Sequence, residues 1–112
     1  MAYIGVANWE GDPEQLAKVF TDHLEPAAAA VAEKYGGLLS LHARTPSGIV
    51  TASVYETIEG SVAMHDDPLF RPAYEMLMEL APPTIAIRAE LFGVRISNRV
   101  HELTTHESQP AA

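Results

Sequence analysis

The sequence predicts an α+β domain in which an antiparallel sheet carries its helices on one face. Three observations support this class. The apolar period switches between two and about 3.6 residues in the order β-α-β-β-α-β, a short turn joins the two middle strands, and no further apolar segment remains to cover the second face. With 112 residues, the chain has the material for one domain. We place this domain at residues 1–96 and expect residues 97–112 to form a polar, flexible C-terminal tail.

The first strand is predicted over residues 3–9, where side chains alternate between two faces. Ile4 and Val6 share one face with Asn8, and Tyr3 shares the other face with Trp9. We expect the aliphatic face to meet the helices. This arrangement would aim the Asn8 amide at the helices and leave the aromatic pair on the open face.

A helical region follows, up to Tyr35. Asp12 can cap its first turn, and Pro13 suits the first helical position. The pair Gly36-Gly37 is typical of a helix end. Pro26 interrupts the apolar spacing, so the region is either one kinked helix or two abutting helices.

The remaining elements complete the β-α-β-β-α-β order. Residues 38–45 and 49–56 alternate on either side of Pro46-Ser47-Gly48, which predicts a hairpin. Helical spacing then returns, but Asp67-Pro68 is typical of a second capped start, so residues 58–66 and 68–80 are predicted as separate helices. Residues 84–96 are predicted as one long final strand. The whole order is that of the ferredoxin-like split βαβ fold.

Composition and charge argue against several classes of function. Cysteine is absent, which excludes disulfides, thiolate metal sites and cysteine nucleophiles. Lys+Arg 7 against Asp+Glu 15 gives a net charge of −8, so we expect no nucleic-acid partner and no binding to anionic membranes. No apolar run reaches the ~20 residues of a membrane span, and the N-terminus lacks a signal-peptide pattern. The expected compartment is the cytoplasm.

The uncovered sheet face predicts a homodimer. An apolar face that no element of the chain covers needs a partner, and a second copy is the simplest one. We expect Tyr3, Trp9 and Tyr55 to be buried between the two subunits.

Over residues 1–96 the chain resembles a known superfamily in four local features. These are the polar end of strand one at Asn8, the hairpin Pro46-Ser47-Gly48, the aromatic end of strand three at Tyr55, and the helix break His65-Asp66-Asp67-Pro68-Leu69-Phe70. Together with the topology, they resemble the dimeric α/β-barrel superfamily, and within it the antibiotic-biosynthesis-type monooxygenases. The resemblance implies a homodimer whose sheets close into a barrel, with a small pocket between sheet and helices in each subunit.

Three polar residues are the candidate catalytic groups: Asn8, His65 and Tyr74. The resemblance implies that an Asn at the end of strand one anchors substrate or oxygen, while stabilisation of the following turn is the alternative. His65 could act as a general base because a histidine's reference pKa of about 6.5 suits proton transfer, or it could simply end its helix. Tyr74 could handle protons or only pack its ring. Met64 and Phe70 are expected as apolar walls of a ligand site.

These features predict a small cofactor-independent monooxygenase that acts on an aromatic molecule of the phenol or hydroquinone type. In that class the deprotonated substrate itself reduces oxygen. The alternative is a non-enzymatic small-ligand-binding or stress-related dimer. No cofactor is expected: the resemblance puts Tyr74 where haem-degrading relatives carry an iron-ligating His, and cysteine is absent. The tail pair His101 and His106 is also one residue out of the zinc-binding spacing.

Overall fold

The computed structural model describes residues 2–102, without the side chains of Ala86 and of residues 99–102. The first half contains strand β1 (Ala2–Glu10), helix α1 (Pro13–Val19), a π-helical turn (Phe20–Leu24), helix α2 (Glu25–Val31) and a 3₁₀ turn (Ala32–Tyr35). Strands β2 (Gly37–Thr45) and β3 (Gly48–Tyr55) form the central hairpin. Helices α3 (Ile58–Met64) and α4 (Arg71–Leu80) precede strands β4 (Pro83–Leu91), β5 (Gly93–Ile96) and β6 (Arg99–Glu102).

The main sheet has four strands in the order β2-β3-β1-β4, and each neighbouring pair is antiparallel. Both helical regions pack against one of its faces. The predicted α+β, ferredoxin-like architecture is therefore confirmed. Within residues 2–102, every helix is too short or too polar to cross a bilayer.

The first helical region is continuous, which answers the question raised by Pro26. In a regular α-helix, Pro lacks the N–H for the ladder and its ring collides with the carbonyl four residues earlier. The chain widens into a π-helical turn just before this proline, and the Glu25 N–H donates to the Phe20 carbonyl five residues back. Phe20 and Leu24 are buried along this turn.

The break between α3 and α4 is built around Asp67. This carboxylate is only 5% exposed. It accepts a hydrogen bond from the Tyr35 hydroxyl at 2.6 Å and another from the Leu69 N–H at 2.9 Å. The Lys34 ammonium lies 3.5 Å from the same carboxylate. The two separate helices predicted here are confirmed, and Asp67 ties their junction to the end of the first helical region.

The core lies between the sheet and the helices. Leu16 and Leu77 are its most completely buried large side chains. The buried cluster consists of Trp9, Leu16, Phe20, Leu24, Val31, Ile49, Met64, Phe70, Leu77 and Ala81.

The two faces of β1 are reversed relative to the prediction. Trp9 is buried in the core beside its register partner Ile49, so the aromatic face meets the helices. Asn8 is exposed on the opposite face, which it shares with Ile4 and Val6. Both faces are largely apolar, so strand alternation defines them without deciding which one the helices cover. The expectation that Asn8 points toward the helices is wrong.

The helix-free face is aliphatic. Leu39 and Leu41 on β2 are 45% and 61% exposed, and Ile87 on β4 is 50% exposed. Register places them on the same side as Ile4 and Val6. The predicted open apolar face therefore exists, but the prediction that Tyr3, Trp9 and Tyr55 lie on it is wrong. Tyr55 instead contacts Met64 of α3, and Tyr3 shares its side of the sheet.

The predicted single strand over residues 84–96 is wrong. β4 ends at Leu91, where its pairing with Ala2 of β1 ends. After Phe92, the chain forms a separate two-stranded ladder of β5 and β6 around Ser97, which has a positive φ of 58°. The beginning of the expected flexible tail is therefore a strand at Arg99–Glu102, and residues 103–112 lie outside the described part of the chain.

Candidate functional site

A cavity of about 330 Å³ lies between the sheet and the helical layer. Its lining includes four of the predicted site residues: Met64, His65, Phe70 and Tyr74. A mostly apolar cavity with a few placed polar groups is the usual form of a small-molecule site. The pocket expected between sheet and helices is present in the described structure.

Small residues of β1 leave room for the cavity on the helix-facing side of the sheet. Gly5 and Ala7 lie on its helix-facing side and line the cavity, next to Trp9. A Cβ placed on Gly5 would have no neighbouring atom within 4 Å. The space above the strand is therefore open at this position.

His65 follows the last residue of α3 and is half-buried in the cavity wall. Its Nδ1 lies 2.8 Å from the Ser61 carbonyl oxygen. A carbonyl can only accept, so Nδ1 carries the proton and the neutral ring keeps its lone pair on Nε2. Among the described side chains, none hydrogen-bonds Nε2. The ring is thus arranged as a proton acceptor.

From its position on α4, the Tyr74 ring packs against three other rings. Its centroid lies 4.6 Å from that of His65, 5.8 Å from that of Phe70 and 5.9 Å from that of Trp9. Burial raises the pKa of the Tyr74 phenol, while the charges of Arg71 and Arg88 act in the opposite direction. The phenol therefore stays protonated at neutral pH and can donate a hydrogen bond.

The donor set around Tyr74 does not fit haem iron. A tyrosine serves as an iron ligand as its phenolate, and the raised pKa of Tyr74 disfavours that form. Within the described part of the chain, no three His, Asp or Glu side chains gather where they could hold a metal ion. The tail histidines weighed for zinc lie outside the described side chains, and the absence of cofactors stays a prediction.

The structure separates Asn8 from the other candidates. Asn8 is exposed on the far side of the sheet, whereas His65 and Tyr74 line the cavity on the helix side. A strand residue reaches only one face, so the Asn8 side chain does not line this cavity.

Arg88 is a site residue that the sequence analysis missed. It stands on the helix-facing side of β4, lines the cavity, and lies close enough to Tyr74 for its charge to act on the phenol. Among the described residues, no carboxylate forms an ion pair with its guanidinium. Alternation along β4 would have placed Arg88 on the cavity side if Trp9 had first been assigned to the covered face.

A row of hydroxyls on β2 and β3 was also missed. Ser40 Oγ lies 3.4 Å from Ser53 Oγ and 2.7 Å from His42 Nε2. His42 packs its ring on Phe20 at 4.2 Å, and its Nε2 lies 3.5 Å from the Glu25 carboxylate. The cavity therefore has a polar end at the β2 edge of the sheet, opposite the end with Arg88.

Comparisons with known proteins support the fold. No protein-family model matches the sequence, and neither does any curated protein. Among solved structures, the chain is similar to SnoaB, a cofactor-independent oxygenase from Streptomyces nogalater. The TM-score is 0.56 and the sequence identity 18%, over 76% of this chain and 86% of that chain. A mutant of the same oxygenase matches over the same shares with a TM-score of 0.55 and 18% identity. The chain thus shares the ferredoxin-like fold of this cofactor-independent oxygenase, and the resemblance to antibiotic-biosynthesis-type monooxygenases is confirmed as a likeness of fold.

Proposed function

We propose that this protein is a cofactor-independent oxygenase that acts on an aromatic substrate of the phenol or hydroquinone type. The observation that carries the proposal is the His65 ring, whose Nδ1 is held by the Ser61 carbonyl in the wall of an aromatic-lined cavity. The shared fold with SnoaB, itself a cofactor-independent oxygenase, supports the same direction.

Deprotonation of the substrate is the first step. His65 Nε2 accepts the proton of the phenolic hydroxyl, as a general base within hydrogen-bonding reach. The cation of Arg88 lines the same cavity and stabilises the phenolate that results. A phenolate is far richer in electrons than a phenol, so it can reduce molecular oxygen directly.

The reaction balances without an external reductant. A C–O bond forms between the ring carbon para to the hydroxyl and one oxygen atom, the O–O bond breaks, and the second oxygen atom leaves as water. That water takes the phenolic hydrogen and the hydrogen of the para carbon. The product is a quinone with one added oxygen atom. The protonated hydroxyl of Tyr74 donates a hydrogen bond to the oxygen that becomes reduced.

Oxygen uptake tests the proposal. Purified protein is mixed with 1-naphthol, oxygen consumption is followed with an electrode, and the quinone by its absorbance. We expect His65→Ala to lower turnover by about 10²-fold or more, which is the usual contribution of a general base. His23→Ala is the matched control, because His23 is exposed on the π-helical turn. A parent protein that binds 1-naphthol and consumes no oxygen contradicts the proposal and favours the ligand-binding alternative.

The assembly we propose is a homodimer that closes over the helix-free face. Leu39, Leu41 and Ile87 form an exposed aliphatic surface on that face, and contiguous apolar patches of this kind mark interaction sites. Packing two such sheets face to face would bury them in the manner of an obligate interface, which commonly exceeds about 2,000 Å² in total.

A further inference from the structure

Four helix-facing residues stand in one row across the main sheet. The strand register pairs Ser40 with Ser53, Ser53 with Gly5, and Gly5 with Arg88. Directly paired residues in antiparallel strands have Cα atoms about 4.5–5.5 Å apart. The Cα atoms of Ser53 and Arg88 are therefore about 10 Å apart, with only Gly5 between them.

Gly5 leaves the middle of this row empty. Its absent side chain would meet no atom within 4 Å, and it lines the cavity together with Ser53 and Arg88. The rings of Phe70 and Tyr74 line the same cavity from the helical layer. The part of the cavity above this row, called the slot below, therefore has polar groups at both ends and no side chain in the middle.

The serine end of the slot retains hydrogen-bonding capacity. His42 Nε2 lies 2.7 Å from Ser40 Oγ and 3.5 Å from a Glu25 carboxylate oxygen. Either atom of the Ser40–His42 contact can be the donor, depending on the tautomer of the ring. When the ring donates from Nε2, the Ser40 hydrogen is available to Ser53 or to a ligand. Each hydroxyl has one donor and two acceptor positions, so Ser53 keeps one position for a ligand beside its contacts with Ser40 and with the Tyr55 hydroxyl.

We propose that the Ser40–Ser53 pair is a second ligand subsite, which binds a carbonyl or hydroxyl oxygen at the far end of a flat aromatic ligand. The oxygen at the other end of that ligand lies beside His65 and Arg88. For that end, the inference rests on the proposed function. The ligand class is a fused aromatic with two or more rings and oxygens at opposite ends. A single-ring phenol leaves the serine end unfilled.

The test compares two probes under anaerobic conditions, where binding is measured without turnover. 2,6-Dihydroxynaphthalene has an oxygen at each end, and 2-naphthol has only one. Isothermal titration calorimetry should show at least 10-fold tighter binding of the diol by the parent protein. Ser53→Ala should remove this preference by weakening diol binding about 10-fold, which corresponds to about 1.4 kcal/mol, while 2-naphthol binding stays unchanged. Ser47→Ala, in the turn between β2 and β3, is the matched serine control and should change neither constant.

Gly5→Val provides an independent test of the slot. The Cβ of the new side chain would meet no atom within 4 Å, so the valine occupies the open space above Gly5. We expect binding of both probes to fall at least 10-fold while the thermal unfolding midpoint stays close to that of the parent. Unchanged binding in Gly5→Val overturns the placement of the ligand over this row.

The outcomes separate the two proposals. The second subsite is overturned if the parent binds both probes equally or not at all, or if Ser53→Ala keeps the preference for the diol. A parent with the diol preference and no oxygen uptake supports the subsite and refutes the oxygenase reaction.

Discussion

The rings of His65 and Tyr74 meet edge to face, with centroids 4.6 Å apart and planes inclined at 85°. His65 closes α3 and Tyr74 belongs to α4, so this contact spans the break between the two helices. The geometry of the candidate base therefore depends on the turn at Asp67, which the Tyr35 hydroxyl holds at 2.6 Å.

Removal of the Tyr74 hydroxyl should affect chemistry more than folding. Tyr74→Phe keeps the ring contacts but loses the hydrogen-bond donor, so we expect kcat to fall by about 10²-fold or more, the usual cost of a lost transition-state donor, with little change in the unfolding midpoint. Burial raises the pKa of Tyr74, so the parent should stay active up to a pH above the ordinary tyrosine value of about 10. A pH profile of kcat measures this alkaline limb, which should be absent in Tyr74→Phe. An identical profile in both proteins would contradict the donor role.

Asp67 should make stability depend on acid pH. The hydrogen bond from Tyr35, and then the one from the Leu69 N–H, hold the pKa of its carboxyl below the ordinary value. A carboxyl with a lowered folded-state pKa contributes stability above its unfolded-state pKa, and that contribution is lost as pH falls through the folded-state pKa. Asp67→Asn should therefore be less stable than the parent at pH 7, and the difference should shrink toward pH 2.

Urea unfolding at a series of pH values measures this difference. Asp66→Asn is the matched control, because Asp66 is exposed one residue earlier. Tyr35→Phe should reproduce part of the loss at pH 7, since it removes the shorter of the two hydrogen bonds to Asp67. A pH dependence in Asp67→Asn equal to that of the parent would show that another carboxylate is responsible.

A charge on the helix-free face should dissociate the proposed dimer. Leu41 is exposed on this face, on the edge strand β2, so Leu41→Lys would bury an unpaired ammonium in the interface. We expect analytical ultracentrifugation to show a dimer for the parent and a monomer for the variant at micromolar concentration. Val62→Lys places the same charge on an exposed apolar position of α3 and should stay dimeric. A monomeric parent would refute the assembly.

The cation of Arg88 should stabilise the phenolate that forms in the cavity. Arg88→Gln removes the charge from the cavity lining, so we expect kcat for a phenolic substrate to fall by about 10-fold or more, while KM for the neutral phenol changes little. Arg95→Gln, on the exposed surface of β5, is the control for net charge and should leave kcat unchanged. Steady-state oxygen uptake measures both variants, and equal kcat values for the two would exclude a role of Arg88 in stabilising the phenolate.

Truncation of the most buried leucine should destabilise the domain strongly. Leu77 is fully buried in the core, and Leu→Ala at such sites costs about 2–5 kcal/mol. Leu69 is exposed in the turn between α3 and α4, so Leu69→Ala should stay within about 0.5 kcal/mol of the parent. Equilibrium urea unfolding compares the two, and similar losses would mean that α4 does not pack as described.

The order of the elements and the main breaks in the helices were predictable from the sequence. Asp12 caps α1 through the N–H groups of Glu14 and Gln15, and Asp67-Pro68 separates α3 from α4. These features are local, because a cap, a proline or a change of period acts within a few residues of its own position. The end of β4 was not predictable in this way, since it depends on where the partner strand β1 stops pairing.

Only the tertiary structure decided which face of the sheet the helices cover, and the candidate site followed from that choice. Alternation along β1 separates Trp9 from Asn8 but is symmetric between the two faces, and hydrophobicity does not break the symmetry because both faces are largely apolar. Packing decides between the two faces, because the Trp9 ring fills the core while Gly5, on the same face of β1, leaves open space. His65 and Tyr74 were identifiable because a helix break is a local feature, whereas Arg88 and Ser53 became cavity residues only when strand register placed them on either side of Gly5.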